Sequence, residues 1–84
     1  MYIVMCEIYR KENENYKLCS AHPIKAVRRE PDVREWMREE PEIIVRYLQD
    51  VLGNSYSIAE RDENHAELRT DNGAERRIYI AKKI

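Results

Sequence analysis

The chain has 84 residues, of which 43% are hydrophobic and 37% are charged, and its formal net charge is -1. Ordinary domains contain about 100–150 residues, so this length predicts one compact domain, residues 1–84, and leaves no room for a second. Leu, Ile, Val and Phe together supply 18 of the 84 residues. This share, about 21%, is slightly above the roughly 20% below which strongly charged chains stay disordered. This composition argues against intrinsic disorder and predicts a small folded domain with a thin core.

The chain contains no apolar segment long enough to span a membrane. No apolar run approaches the roughly 18 residues that a spanning helix needs, and the apolar start, residues 1–6, is shorter than the core of a signal peptide. We therefore expect a cytoplasmic protein that makes no contact with membranes.

The first two predicted strands form a hairpin. Tyr2–Tyr9 is rich in β-branched and aromatic residues, and apolar side chains fall on both of its faces. This pattern is typical of a central strand that is covered at least partly on each side. The polar residues 10–15 predict a turn, and Tyr16–Ser20 predicts the second strand.

Two cysteines lie in this hairpin, and a symmetric turn would place Cys6 opposite Cys19, within reach of a disulfide. The expected compartment is reducing, so we predict free thiols. A Cys₂His₂ zinc site could combine these cysteines with His22 and His65, but only Cys19 and His22 have the spacing of paired ligands. The cysteines are better interpreted as small core residues, and we predict neither a metal nor a cofactor.

Three prolines divide the middle of the chain into predicted helical segments. Pro23 should end the second strand and open a short helix over residues 24–27. Pro31 opens a second segment, and the strongest helix spans Pro41–Leu52, where Gly53 stops it. The second segment carries three residues on one face: Val33, Trp36 and Met37.

The last third of the chain predicts an antiparallel meander. Residues 56–59 and 65–69 alternate in polarity, and the polar residues 62–64 turn the chain between them. Asp71-Asn72-Gly73 is the clearest hairpin turn, because Asn-Gly accepts positive φ angles. The predicted fold is therefore α+β, with a single antiparallel sheet in the order ββ-α(α)-βββ and helices packed on one face.

The alternating pattern also predicts which residues form the core. We expect ten to be mostly buried: Val4, Cys6, Ile8, Ile44, Leu48, Val51, Ile58, Leu68, Ile78 and Ile80.

The closing strand, Arg76–Ile84, is long and terminal, which favours a position at the edge of the sheet. An edge strand has unpaired N–H and C=O groups, and small domains often gain stability by association. We therefore expect a symmetric homodimer.

The residues that enzymes use are scarce in this chain. It has only two glycines, so no phosphate-binding loop can be built, and neither histidine lies beside a nucleophile motif. Neighbouring acids such as Glu39 and Glu40 lie in segments rich in charge and are interpreted as solvated surface. We predict that the protein is not an enzyme.

The charges occur in blocks along the chain. Cations dominate residues 10–29 and 76–83, whereas acids dominate residues 30–42 and 60–75. A small nucleic-acid-binding regulator that uses Arg28-Arg29 and Arg76-Arg77 is therefore an alternative function. The isoelectric point of about 6.1 argues against it, because dedicated nucleic-acid modules tend to exceed pI 9.

The aromatic and cationic residues favour protein binding instead. The chain has six Tyr, one Trp and no Phe, and Tyr, Trp and Arg are enriched at the energetic centres of protein interfaces. The leading hypothesis is a non-enzymatic interaction domain, a stoichiometric inhibitor or adaptor that binds a larger protein or ribonucleoprotein. The predicted partner-binding residues are Arg28, Arg29, Trp36, Arg76, Arg77 and Tyr79.

Phage-encoded inhibitors of bacterial defence systems, including anti-CRISPR proteins, are often of this size and character. The analogy is one of size alone, with no motif behind it. It predicts a viral or mobile-element protein.

Overall fold

The computed structural model describes all residues from Met1 to Ile84 and contains five strands and one helix. The five strands form one open antiparallel sheet in the order β2-β1-β5-β4-β3, and the helix packs against one face of it. The predicted α+β fold is therefore confirmed. In chain order the elements are β1 (Tyr2–Glu12), β2 (Asn15–Val27), α1 (Glu30–Leu52), β3 (Tyr56–Arg61), β4 (His65–Thr70) and β5 (Glu75–Lys83).

The hairpin of β1 and β2 is longer than predicted and has a different register. Cys6 pairs with His22, and Cys19 is exposed and unpaired in the ladder, so the predicted Cys6–Cys19 pairing is wrong. The main cause is the turn, which lies at Asn13-Glu14 and moves every partner by two positions relative to a turn between Glu12 and Asn13. The extra residue Cys19 forms a bulge that moves the partner of Cys6 by one more position, and a second bulge at Ile24 follows farther along β2. Both cysteines are free thiols.

The prediction that Pro23 ends the second strand and opens a helix is also wrong, because β2 continues to Val27. β2 is an edge strand of the sheet. Pro23 follows His22 in the ladder and adjoins the bulge at Ile24. A residue without an N–H group is tolerated at an edge or a bulge.

One continuous helix replaces the two segments that Pro31 and Pro41 were expected to separate. Pro31 lies in the first turn, where its missing N–H would have no partner in any case. Pro41 lies inside the helix and is buried, so its packing in the core offsets part of the cost of the lost hydrogen bond. α1 does not combine the length and apolar character needed to cross a membrane.

The position predicted for the closing strand is wrong as well. β5 is a central strand, paired with β1 on one side and β4 on the other, and the edges of the sheet are β2 and β3. The predicted central position of β1 is confirmed, and the chain turns at Asp71-Asn72-Gly73 between β4 and β5, as expected.

The core lies between α1 and the sheet. Of the predicted core residues, Val4, Cys6, Leu48 and Leu68 are buried, and five isoleucines at positions 8, 44, 58, 78 and 80 are half-buried. The prediction for Val51 is wrong: it is 58% exposed. Leu48 is the last buried residue of α1, so the final turn extends beyond the packed part of the helix. The core also includes Val27, Val33, Met37, Tyr56, Ala66 and Tyr79.

Candidate functional site

The face of the sheet opposite α1, here called the open face, carries no helix. Directly paired residues of antiparallel strands share a face, and successive residues of a strand alternate between faces. Because Val4, Cys6 and Tyr79 belong to the core under α1, the alternate residues of their strands point to the open face. These are Ile3, Met5, Glu7 and Tyr9 of β1, Arg76, Ile78, Ile80 and Lys82 of β5, and His65, Glu67 and Arg69 of β4.

One half of the open face is apolar. Met5 pairs directly with Ile80, and Ile3 and Ile78 lie diagonally beside them. All four side chains are half-buried. We refer to Ile3, Met5, Ile78 and Ile80 as the apolar patch. The patch lies on β1 and β5, two of the three interior strands, and it contains the apolar residues that the sequence places on the second face of β1.

The other half of the open face carries a charged cluster that consists of Tyr9, Tyr16, Glu67, Arg69 and Arg76. Glu67 is only 4% exposed, and its carboxylate accepts hydrogen bonds from Arg69 and, at 2.7 Å, from Arg76. The guanidinium carbon of Arg76 lies 5.6 Å from the ring centroid of Tyr9 and 4.9 Å from that of Tyr16. These contacts hold Arg76 by cation–π attraction and by an ion pair at once.

The two arginines decide the ionisation of Glu67. Burial raises the pKa of the carboxyl group, but hydrogen bonds and charge from Arg76 and Arg69 outweigh it, so the pKa is lowered from its ordinary value. The Nε atom of Arg76 is buried and has no hydrogen-bond partner. The cluster is therefore a charged network with one donor left unsatisfied.

Exposed charges at the open face are mainly positive. Lys82 lies 4.0 Å from Glu7 and is 56% exposed, and the side chain of Arg69 is 49% exposed. Lys11 is exposed and makes no ion pair, whereas Glu60 is the exposed acid on this side of β3. A surface that meets the open face therefore encounters more positive than negative charge.

The predicted partner-binding residues of β5 separate onto opposite faces. Arg76 belongs to the charged cluster, whereas Arg77 lies under α1, with its Nε atom 3.3 Å from the Tyr56 hydroxyl and 3.6 Å from a Glu75 carboxylate oxygen. Tyr79 is 4% exposed and packs in the core. Its ring therefore offers no free surface to a partner.

The remaining three predicted residues lie together, in a groove between the end of β2 and the start of α1. Arg28, Arg29 and Trp36 line this groove of about 590 Å³. Arg29 is paired with Asp32 at 3.2 Å, and the Trp36 ring lies 5.8 Å from the buried ring of Tyr79. The fold therefore brings three of the six predicted residues together, and the groove that they line does not adjoin the charged cluster.

The basic blocks of the sequence interleave with the acidic blocks in the folded chain. Ion pairs hold most arginines, so that the positive charge is distributed rather than gathered into one patch. The pairs include Arg10 with Glu75, Lys17 with Glu12, Arg29 with Asp32, Arg34 with Glu30, Arg61 with Glu42, and both Arg69 and Arg76 with Glu67.

The histidines and cysteines do not gather at one place, although His22 pairs with Cys6 in the β1–β2 ladder. His65 lies beside the β3–β4 turn, 2.7 Å from an oxygen of Asp62, while Cys6 is buried under α1 and Cys19 is exposed. No three His, Cys, Asp or Glu residues form a group that could hold a metal ion. Burial raises the pKa of the Cys6 thiol, which keeps it protonated at neutral pH.

Sequence reasoning did not identify the apolar patch as a site, although its signal was present. The alternation in Tyr2–Tyr9 and the run Ile78–Ala81 put apolar residues on both faces of two strands. The pattern does not show how many faces of the sheet are covered. Only the structure shows that α1 covers one face and that no element of the chain covers the other. Comparison with protein-family models, with curated proteins and with solved structures finds no match to this chain.

Proposed function

We propose that this chain is a non-enzymatic protein-interaction domain that binds a larger protein through the open face of its sheet, as a stoichiometric inhibitor or adaptor. The observation that carries the proposal is the apolar patch. Strands covered on one side usually alternate between apolar and polar residues. Ile3, Met5, Ile78 and Ile80 break that rule on β1 and β5, two of the three interior strands. Strands that are covered on both faces are apolar on both, so a partner over the patch would account for these residues.

The composition of the open face supports a protein partner. Burying a large aliphatic side chain completely contributes about 1.5–3 kcal/mol relative to leaving it exposed, so completing the burial of four such residues is a substantial driving force. Tyr9 and Arg76 lie next to Ile78 on the open face, and Tyr16 packs against Arg76. All three are of the types that dominate binding energy at interfaces. Because Arg76 is already held in place, it loses little conformational entropy on binding.

The charges specify the chemistry of the partner surface. Lys82 pairs with Ile3, and Arg69 lies on β4 beside Arg76, so exposed positive charge borders the patch at two points, and Lys11 lies farther along β1. Glu60 is the exposed acid on this face. The complementary surface has an apolar centre and an acidic rim. A second copy of this chain fits less well, because two open faces would bring the same excess of cations together.

The nucleic-acid alternative has less support. Arg76 and Arg77 lie on opposite faces of β5 and are both paired with carboxylates, and Arg28 and Arg29 lie elsewhere, beside α1. Phosphate binding depends on clustered free cations. The distributed charge favours a protein partner over a phosphate backbone.

Site-specific photo-crosslinking tests the proposal. A benzophenone amino acid at Leu18, which pairs with Tyr9 on the open face and is 49% exposed, probes the site. The same group at Ser20, which pairs with Ile8 and so lies on the opposite face of the same strand, is the matched control. In an extract of the source organism, we expect a discrete crosslinked protein from position 18 and none from position 20.

Two results would contradict the proposal. One is equal crosslinking from both positions, or none from position 18. The other is binding of DNA or RNA at about 50 mM salt, where phosphate contacts are strongest, which would favour the nucleic-acid alternative. Sedimentation of the purified chain at several concentrations shows separately whether a second copy occupies the face.

A further inference from the structure

The second half of α1 exposes an apolar stripe on the opposite side of the molecule from the open face. Ile43, Tyr47 and Val51 are 52%, 59% and 58% exposed. They follow one another at intervals of four residues, so they lie one above the next along the helix surface. We call these three residues the helix stripe.

No element of the fold packs against the helix stripe. The buried residues of α1 are Val33, Met37, Pro41 and Leu48, which mark a different line along the helix. The sheet is the only element that packs against α1, so no part of the fold covers the stripe. Single exposed apolar residues need no explanation, whereas three in a row mark a surface suited to a partner.

Acidic residues border the helix stripe. Glu39 and Glu40 precede Ile43 by one turn, and Asp50 follows Tyr47 by three residues, so each lies beside the stripe on the helix surface. Glu40 and Asp50 make no ion pair within the chain, and Glu39 has only a 3.9 Å contact with Arg38. Their charges are therefore available to a partner.

The acidic character extends over the whole helix. α1 has seven acidic and three basic residues, a net charge of -4, while the rest of the chain has nine acidic and twelve basic residues, a net charge of +3. Beside the helix stripe itself the excess is smaller, because the exposed Arg46 follows Ile43 by three residues and makes no ion pair, but the bordering acids Glu39, Glu40 and Asp50 still outnumber this cation.

We propose that the helix stripe binds a basic amphipathic segment of another protein. Apolar residues of that segment, spaced like those of a helix laid along α1, cover Ile43, Tyr47 and Val51, and its lysines or arginines face Glu40 and Asp50. This surface is separate from the open face, and the proposal stands or falls independently of the function proposed above.

A designed peptide tests the chemistry directly. The probe is a fluorescent helix-forming peptide of about 14 residues with leucines on one face and lysines on the other. A second peptide with the same leucines and glutamate in place of lysine isolates the contribution of charge. Binding is measured by fluorescence anisotropy with the intact chain, and circular dichroism checks the fold of each variant.

Charge-reversal variants locate the binding surface. Glu40→Lys with Asp50→Lys changes the two unpaired acids beside the helix stripe. Glu14→Lys with Glu63→Lys is the matched control, since these acids are also unpaired and lie in turns away from the stripe. Ile43→Ser with Tyr47→Ser removes the apolar contacts at exposed positions, where little effect on folding is expected.

The lysine peptide should bind the unmodified chain at low salt. The Glu40/Asp50 variant should weaken binding about tenfold, the Ile43/Tyr47 variant should weaken it as well, and the Glu14/Glu63 control should change it less than about threefold. The proposal is overturned if the lysine peptide does not bind, if the glutamate peptide binds equally well, or if the two charge-reversal variants lose affinity equally. Crosslinking from position 18 is unaffected by any of these outcomes.

Discussion

At the scale of single residues, Glu67 combines burial with a position on the uncovered face of the sheet. Its carboxylate joins Arg69 and Arg76, so replacing it removes the partner of two cations at once. We expect Glu67→Gln to lower the free energy of unfolding by about 1–3 kcal/mol, because the amide leaves the arginine donors only partly satisfied. Denaturant titration at neutral pH measures the difference.

The same variant has a characteristic pH dependence. A carboxyl group whose pKa is lowered on folding contributes stability above its ordinary pKa, 4.5 for this glutamate, and that contribution is lost as the pH falls through the folded value. The stability difference between the unmodified chain and Glu67→Gln should therefore be full at neutral pH and shrink below pH 4.5. A difference that stays constant down to strongly acidic pH would show that the charge of Glu67 contributes nothing.

Leu48 and Val51 form a matched pair on α1 that tests the boundary of the core. Leu48 is 3% exposed and Val51 is 58% exposed, although they are less than one turn apart. Leu48→Ala should cost about 2–5 kcal/mol, because it removes transfer free energy and leaves a cavity. Val51→Ala should change stability by less than about 0.5 kcal/mol. Similar costs in thermal or chemical unfolding would mean that the last turn of α1 packs differently.

At the scale of elements, the end of α1 depends on the backbone freedom of Gly53. Its φ angle is 70°, in the left-handed region, and its N–H donates to the carbonyl of Gln49 at 3.0 Å. An added Cβ would touch nothing, so the cost of Gly53→Ala comes from backbone strain alone, about 1 kcal/mol. Gly53→Asn should cost less, because asparagine tolerates this conformation; equal losses for both variants in urea titrations would point to another cause.

Element types could be predicted from the sequence where the pattern is local. The alternation around Ile58 and Leu68, the turn at Asp71-Asn72-Gly73 and the stop at Gly53 all depend on neighbouring residues. The predictions were wrong where residues distant in the sequence determine the local structure. Pro23 is tolerated in a strand because β2 lies at an edge and bulges at the next residue, and the burial of Pro41 offsets part of the cost of the hydrogen bond that it removes from α1.

The candidate sites, too, could be predicted where they depend on residues near in sequence and not where they depend on the order of the strands. The apolar character of β1 and β5 could be read from the sequence, but strand order places β5 at the centre, and that order is a property of the whole sheet. Arg28, Arg29 and Trp36 are near in sequence and share a groove. Arg76 and Arg77 are adjacent and therefore point to opposite faces, as strand geometry requires.

At the scale of the whole molecule, the two proposed surfaces lie on opposite sides of the sheet. The molecule measures 38 × 24 × 20 Å, so partners on the open face and on the helix stripe can be bound at the same time. We expect saturating lysine peptide to leave the yield of the crosslink from position 18 unchanged. A fall in that yield in proportion to peptide occupancy would show that the surfaces overlap or are coupled.

The irregular edges of the sheet have a consequence for aggregation. A regular edge strand acts as a template for further strands and so for fibrils. β2 interrupts that template with Pro23 and with bulges at Cys19 and Ile24, and β3 is a six-residue strand with its own register shift after Ile58. Both edges of the sheet are therefore poor templates for a strand of another chain, which disfavours growth of the sheet beyond its five strands. The edges of the sheet thus counteract the tendency to aggregate that apolar surface on both of its faces gives this 84-residue chain.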